Sequence, residues 1–170
     1  MAKTELHNYT VQEKLNKMDV DLLDDVTPTV DGNAHTAGDL LWNPIIIKNA
    51  VSVPGGTALM QSVAVANADA LTGAFDIVFT TSDDDIGTLN GVIADQSGLS
   101  DANAKKILGM TTVNRMQDVG GASVGSKANI GLVIKAEADS KDIYCYGIAQ
   151  STDNPTSTTG YTLRFGVVKD

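Results

Sequence analysis

The sequence contains a single cysteine, Cys145, among 170 residues. An intrachain disulfide is therefore excluded, and the chain fits a protein that folds in a reducing compartment. The first residues lack the apolar stretch of a signal peptide, and no segment approaches the roughly 18 consecutive apolar residues that a membrane helix needs. We therefore expect neither a secreted nor a membrane-anchored chain.

Positive charge is also scarce. Twelve lysines and arginines stand against 21 aspartates and glutamates, which gives a net charge of −9. No basic cluster is longer than Lys105-Lys106. Phosphate backbones and anionic membrane surfaces repel such a chain, so we expect neither nucleic acid nor membrane as a partner.

Few residues could catalyse a reaction near neutral pH. The two histidines, His7 and His35, have no known motif beside them, and the sequence has no nucleophile elbow, phosphate-binding loop, His-Glu-x-x-His or Cys-x-x-Cys. Cys145 lies within a strand pattern and is expected to be a buried thiol. The acidic run 83–85 lacks the alternate spacing of a calcium loop. The chain is predicted to be no enzyme and to hold neither cofactor nor metal.

Aromatic residues make up only 5% of the chain. A carbohydrate-binding module needs a row of exposed aromatic rings, and only Tyr144, Tyr146 and Tyr161 are candidates for one. Alternation places Tyr144 and Tyr146 on one face of a strand, where cross-strand packing is the favoured interpretation. Sugar binding stays a less favoured alternative.

What the sequence does contain is a series of short apolar segments with a period of two, the pattern of half-buried β-strands. The pattern is strongest from Asn43 to Thr81, where Pro54-Gly55-Gly56 separates two strands. Predicted strands cover residues 45–53, 59–66, 75–80, 107–113, 129–136, 142–149 and 161–168. The strands at 129–136 and 142–149 are predicted to form a hairpin, and one helical turn is predicted to begin at Ser100 or Asp101. Regular turn signals favour a single all-β domain over residues 27–170, a β-sandwich of jelly-roll type.

Residues 1–26 differ from this body and are predicted to form an N-terminal arm or a short helix. Thr10 and Glu13 fit a capping box, which starts a helix. The apolar side chains of the segment recur at helical spacing and would share one face: Val11, Leu15, Met18 and Leu22. That face would pack on the chain's own domain or dock on another subunit. Trp42, the only tryptophan, is predicted to anchor the core or a subunit contact, so these five apolar residues are the candidate interaction residues.

Several segments of the body resemble a known class of protein. The sequence is similar to small structural proteins of tailed bacteriophages, in particular to capsid decoration (cement) proteins, over about residues 27–168. The segments that carry the resemblance are GDLLWNPIIIKNAVSVPGGTALMQSVAVAN, FDIVF, IGTLNG, DANAKKILGMTTV, SKANIGLVIKAEA and YTLRFGVV.

The resemblance implies a β-sandwich or jelly-roll body on the outside of the phage head, without enzymatic activity. It implies the major capsid protein as a partner and self-association, often as a trimer. It also implies assembly in the host cytoplasm and a final position on the outer capsid surface. A tail, neck or baseplate component would use a similar sandwich and is the main alternative.

Overall fold

The computed structural model describes residues 19–93 and 100–169. These residues contain nine β-strands and one short helix. Their bounds are β1 Asp19–Leu22, β2 Leu40–Ile47, β3 Thr57–Asn67, β4 Phe75–Thr80, α1 Asp101–Ala104, β5 Ile107–Val113, β6 Gln117–Asp118, β7 Ser123–Lys135, β8 Ile143–Ala149 and β9 Tyr161–Lys169.

The strands form two antiparallel sheets. Sheet I has the order β1-β9-β3-β7-β6, and sheet II has the order β2-β8-β4-β5. Apart from the two-residue β6, the pairing is nested, because β1 pairs with β9, β2 with β8, β3 with β7 and β4 with β5. A long antiparallel hairpin wrapped around a sandwich gives this pairing, and that architecture is the jelly roll. The predicted all-β sandwich of jelly-roll type is confirmed.

The core lies between the two sheets and is centred on aromatic rings. Trp42 of β2, Phe75 of β4 and Tyr161 of β9 form one cluster with ring centroids 5.7–5.8 Å apart. Phe79 and Phe165 form a second, edge-to-face pair at 5.9 Å. All five rings are buried, so most aromatic residues in the described part of the chain lie where the sheets meet.

The middle of the outer face of sheet II is covered by the connection between β4 and β5. Val78 and Tyr146 point outward by strand alternation, yet only 4% and 2% of their surfaces are exposed. Ile86 of the connection is buried beside Tyr146. The Asn43 side chain donates a hydrogen bond to the Gly87 carbonyl at 3.0 Å, which fixes the connection to the edge strand β2. The middle of this outer face is therefore buried, whereas Met110 of the edge strand β5 stays 56% exposed and Ile46 of the edge strand β2 stays 36% exposed.

The sequence predicted β4 and β5 residue for residue, and it predicted β3 and β9 to within two residues at either end. The predicted helical turn is also present. The Ser100 hydroxyl accepts a hydrogen bond from the Asn103 amide at 3.3 Å, as an N-cap residue does.

Leu22 lies on a strand, so its predicted place on a helix face is wrong. Residues Asp19–Leu22 pair with the last four residues of β9, and the next residue, Leu23, is buried in the core. The ladder with β9 satisfies the main-chain groups of this segment, and this long-range pairing outweighs the helical spacing of the side chains. The other three residues of the predicted helix face, Val11, Leu15 and Met18, lie outside the described residues.

The predicted hairpin of residues 129–136 and 142–149 is also wrong. Strand β7 pairs with β3 in sheet I, whereas β8 pairs with β2 and β4 in sheet II. A tight turn, in which the Ser140 amide donates to the Glu137 carbonyl at 2.9 Å, takes the chain from one sheet to the other. The first predicted strand is displaced as well, since β2 ends at Ile47 before the positive φ of Asn49.

We predict that Gly147→Ala destabilises the fold by about 1–3 kcal/mol, the usual cost of overpacking a core. A Cβ at Gly147 would lie 2.5 Å from the Trp42 ring, which is held on its other sides by Phe75 and Tyr161. The free energy of unfolding from urea titration measures the effect. Gly32→Ala is the matched control, because its Cβ would meet only a Thr158 methyl group at 3.8 Å. Equal stability of the two variants would contradict this account of the core.

Candidate interaction surface

None of residues 19–93 and 100–169 covers the outer face of sheet I, and a β-bulge decides which side chains reach this face. In β3, Met60 and Val63 both face the core although they are three residues apart. Met60 pairs with Val167 of β9 and Ser62 pairs with Gly166. Two steps along β3 therefore match one step along β9, and Gln61 is an extra residue on β3. A bulge of this kind shifts the alternation by one position. Leu59 therefore points outward, while Val63 and Val65 point inward.

Four apolar side chains lie side by side across this outer face, one from each of four neighbouring strands. Val20 of β1 is opposite Val168 of β9, Val168 is opposite Leu59 of β3, and Leu59 is opposite Val133 of β7. We call these four residues the apolar row. Its two ends are the most open, since Val20 is 78% and Val133 is 63% exposed.

The apolar surface extends one residue pair further along the strands. Leu22 of β1 is 62% exposed and faces Gly166 of β9, directly beside the row. Leu22 was predicted to be an interaction residue, and it does lie on the uncovered face, although on a strand.

Beyond the row, the face is flat because its side chains are small. Across β3, β7 and β9 most of the outward positions are small, namely Ser62, Ala64, Ala66, Ser126, Ala128 and Gly166, and the larger outward residues are Val124, Thr162 and Arg164. An open groove of about 380 Å³ lies over part of this area, with Val124 and Thr162 in its walls. Such low relief suits contact with another protein surface better than enclosure of a small ligand, which needs a deep concave site.

One ion pair borders the flat area. Arg164 donates two hydrogen bonds to the Asp25 carboxylate, from Nε to Oδ1 at 2.5 Å and from Nη2 to Oδ2 at 2.7 Å. This contact lowers the pKa of Asp25 and raises that of Arg164. Both side chains are nearly half exposed, so the pair contributes little to stability and serves mainly to orient the guanidinium.

Trp42 was predicted to be an anchor of the core or of a subunit contact, and it lies in the core. Its surface is 0% exposed, and its ring is enclosed by Phe75 and Tyr161. No part of the ring is available to another subunit in this conformation. The candidate residues that sequence reasoning missed are the members of the apolar row, because only strand pairing brings them together.

The residues considered for catalysis have structural surroundings. His35 is buried and lies with its Nδ1 2.9 Å from the Asn90 side-chain oxygen, and its main chain pairs with that of Asp153. Cys145 is fully buried, and burial raises the pKa of its thiol, which keeps the thiol protonated at neutral pH. Within residues 19–93 and 100–169, no group of three His, Cys, Asp or Glu side chains could hold a metal ion. His7 lies outside the described residues.

The acidic run at 83–85 forms a loop in which the carboxylates of Asp84 and Asp85 have local partners. Asp84 pairs with Lys106 at 2.6 Å and accepts a hydrogen bond from the Ser82 hydroxyl, and these contacts lower the pKa of Asp84. Asp85 accepts a hydrogen bond from the Gly87 amide. No helix in the described part of the chain has the length and apolar character to cross a membrane.

The three tyrosines considered for sugar binding do not form a stacking platform. Tyr146 and Tyr161 are 2% exposed, and Tyr144 is half-buried. Tyr146 is covered by the β4–β5 connection, and Tyr161 lies in the core. Packing explains Tyr146 and Tyr161, and Tyr144 alone offers no row of rings.

We predict that Arg164→Gln raises the pKa of Asp25 towards its ordinary value, because the hydrogen bonds from Arg164 are the main cause of the lowering. Carbon-13 NMR titration of the carboxyl groups measures this. Because the pKa of Asp25 is lowered in the folded protein, the ion pair adds stability at pH values above the ordinary carboxyl pKa. This stability is lost as the pH falls from the ordinary pKa through the lowered pKa of the folded state. Asp69 is the internal control, since Thr156 holds its pKa low without Arg164. An unchanged Asp25 titration in the variant would contradict the pairing.

Comparisons with known proteins give fold-level likeness only. No family model matches the chain, and no curated protein matches it. Among solved structures, the chain is similar to one from Desmodium yellow mottle tymovirus, with 14% identity, 90% of this chain and 87% of that chain covered, and a TM-score of 0.30. It is also similar to a chain of the native virion of Kashmir bee virus at acidic pH, with 11% identity, coverage of 98% and 75%, and a TM-score of 0.31. Scores this low support no functional argument, and the assignment of the fold rests on the strand order.

Proposed function

We propose that this chain is a non-enzymatic structural protein of a tailed-bacteriophage virion. In this proposal it is a decoration (cement) protein that assembles as a homo-oligomer, most simply a trimer, on the outer surface of the head. There it binds the major capsid protein and stabilises the capsid lattice. The resemblance of residues 27–168 to phage decoration proteins supports this class of function.

The observation that carries the proposal is the difference between the two sheets. The middle of the outer face of sheet II is covered by the chain's own β4–β5 connection, which leaves Met110 and Ile46 exposed at its edges, whereas no described residue covers the apolar row on the flat face of sheet I. Large contiguous apolar surface on a protein marks a contact site. Burying the exposed parts of these valine and leucine side chains would contribute about 1–2 kcal/mol each, before ordering costs are subtracted.

The chemistry of the described residues is consistent with a binding role. The candidate catalytic groups, His35 and Cys145, are buried in structural contacts. Jelly rolls occur in viral capsid proteins, lectins and cupins, so the fold alone does not choose among these functions. The buried tyrosines argue against a lectin-like sugar platform, and the resemblance favours the virion.

Quantitative mass spectrometry of purified virions of the phage that encodes the chain tests this function. We expect a copy number of the same order as that of the major capsid protein, because a decoration protein occupies sites that repeat over the whole lattice. A copy number far below that of the capsid protein would assign the chain to the tail, neck or baseplate instead. Absence from the virion would contradict a virion role altogether.

A further inference from the structure

The outer face of sheet I has a high part and a low part. The apolar row forms the high part, with Leu59 of β3 near its middle. Further along β3, Ala64 and Ala66 line the open groove of about 380 Å³, with Val124 and Thr162 in its walls. We propose that two copies of this chain pair through this face, so that the apolar row of each copy lies in the groove of the other. This inference rests on the homo-oligomer of the proposed function and names the contact that joins the copies.

The two parts of the face match in relief. Leu59 and Val168 project from neighbouring strands, whereas Ala64 carries only a methyl group and is exposed. Close packing across an interface brings large side chains against small ones, as it does inside a protein. A twofold axis that lies in the interface and crosses the strands near Ser62 places Leu59 over Ala64 of the second copy. The same axis places Ala64 under Leu59 of that copy, so each contact is made twice.

The strands of this face direct their carboxylates elsewhere. Asp19 and Asp21 alternate with the outward residues of β1 and therefore point to the other side of the sheet. Asp118 of β6 lies opposite a buried residue of β7 and points to that side as well. The carboxylate that borders the face is that of Asp25, and Arg164 neutralises it. Within the described strands of sheet I, no carboxylate points outward.

A face that is poor in charge suits a second copy of the same chain. The chain carries a net charge of −9, so two copies repel each other in most orientations. Pairing through sheet I opposes no unpaired carboxylates, and the cores of protein interfaces are likewise depleted of charged residues. A partner of opposite charge would need several charges of one sign on the face. Beside the ion pair, the described strands of sheet I direct only Lys135 outward, at the margin of the row.

The described face is also large enough for a stable pair. From β1 to β7 it spans four strands, and a strand spacing of about 4.8 Å with about 3.3 Å per residue gives a footprint of about 20 Å by about 30 Å. Pairing two such footprints buries about 1,200 Å² in total, which reaches the range of about 1,200–2,000 Å² that is typical of specific protein interfaces.

The proposed contact fixes the number of copies in the assembly. Because both copies use the same patch, the contact joins them two by two. The free protein is then a dimer, and a threefold assembly that contains this contact holds three dimers.

Sedimentation equilibrium of the full chain tests the proposal. We expect a dimer at micromolar concentrations, with a dissociation constant that rises at least about tenfold in Ala64→Glu, because the new carboxylate would be buried under the row of the second copy. Ala64 is exposed and lies opposite Arg164, so a single copy accommodates the glutamate. Met110→Glu is the matched control, since it adds the same charge at a 56% exposed position on the outer face of sheet II. We expect this control to dimerise as tightly as the wild-type chain.

Val133→Asp is a second variant, which changes the row instead of the groove. Val133 is 63% exposed in the single copy, so this substitution leaves the core untouched, and we expect the same loss of dimer. Urea unfolding checks that each variant is folded before its mass is measured. The proposal is overturned if the wild-type chain is a monomer or forms only trimers. It is also overturned if both variants dimerise as tightly as the control.

Capsid binding is measured separately, by co-sedimentation of the wild-type protein with capsids that lack the chain. A dimer that does not bind capsids would contradict the proposed virion role and leave the paired contact standing. Capsid binding by a chain that stays monomeric in solution would overturn the paired contact and leave the virion role standing.

Discussion

The β-bulge at Gln61 determines what sheet I presents to the core and what it presents outward. Strand β3 lies at the centre of this sheet and pairs on both sides, so a shift in its alternation changes the whole face. Met60 faces inward before the bulge, and Val63 faces inward after it. If the same sequence alternated regularly with no bulge, Leu59 and Val63, which are four positions apart, would share a face. The core and the apolar row therefore depend on the same local irregularity.

The two sheets also differ in what covers their outer faces. Sheet II carries large side chains on both faces, and the β4–β5 connection buries the outward ones of its middle strands, Val78 and Tyr146, but leaves Met110 of the edge strand β5 exposed. Sheet I carries large side chains inward and mostly small ones outward, so its own chain has little to pack against beyond the row. Its edge strand β1 is short and bears Asp19 and Asp21, charges that discourage unspecific pairing of strand edges. The exposed face thus suits a defined partner better than random association.

Much of the fold could be predicted from the sequence because strand alternation is a local property. Strands β4 and β5 follow from apolar residues with a period of two, and the helix start at Ser100 follows from capping chemistry. Two features depend on distant partners and could not be predicted in this way. Leu22 has helical spacing from Met18, yet β9 recruits it into a sheet. Strands β7 and β8 are neighbours in sequence, yet each finds its partners in a different sheet.

The apolar row could not be predicted from local sequence patterns either, because it also depends on pairing between distant strands. Val20, Leu59, Val133 and Val168 come from four strands that are far apart in the sequence, and each is an ordinary strand residue on its own. Only the register of three strand pairs places them side by side. Trp42 shows the converse, since a lone tryptophan suggests an anchor but does not reveal whether it anchors the core or a contact.

An experimental structure of the assembled protein, by crystallography or by electron cryomicroscopy, tests the central claim most directly. The claim is that the outer face of sheet I is an assembly surface. The account predicts that the apolar row from Val20 to Val133 is buried against residues of another chain, while the outer face of sheet II keeps its own cover. An assembly in which the row of every copy is open to solvent would contradict it.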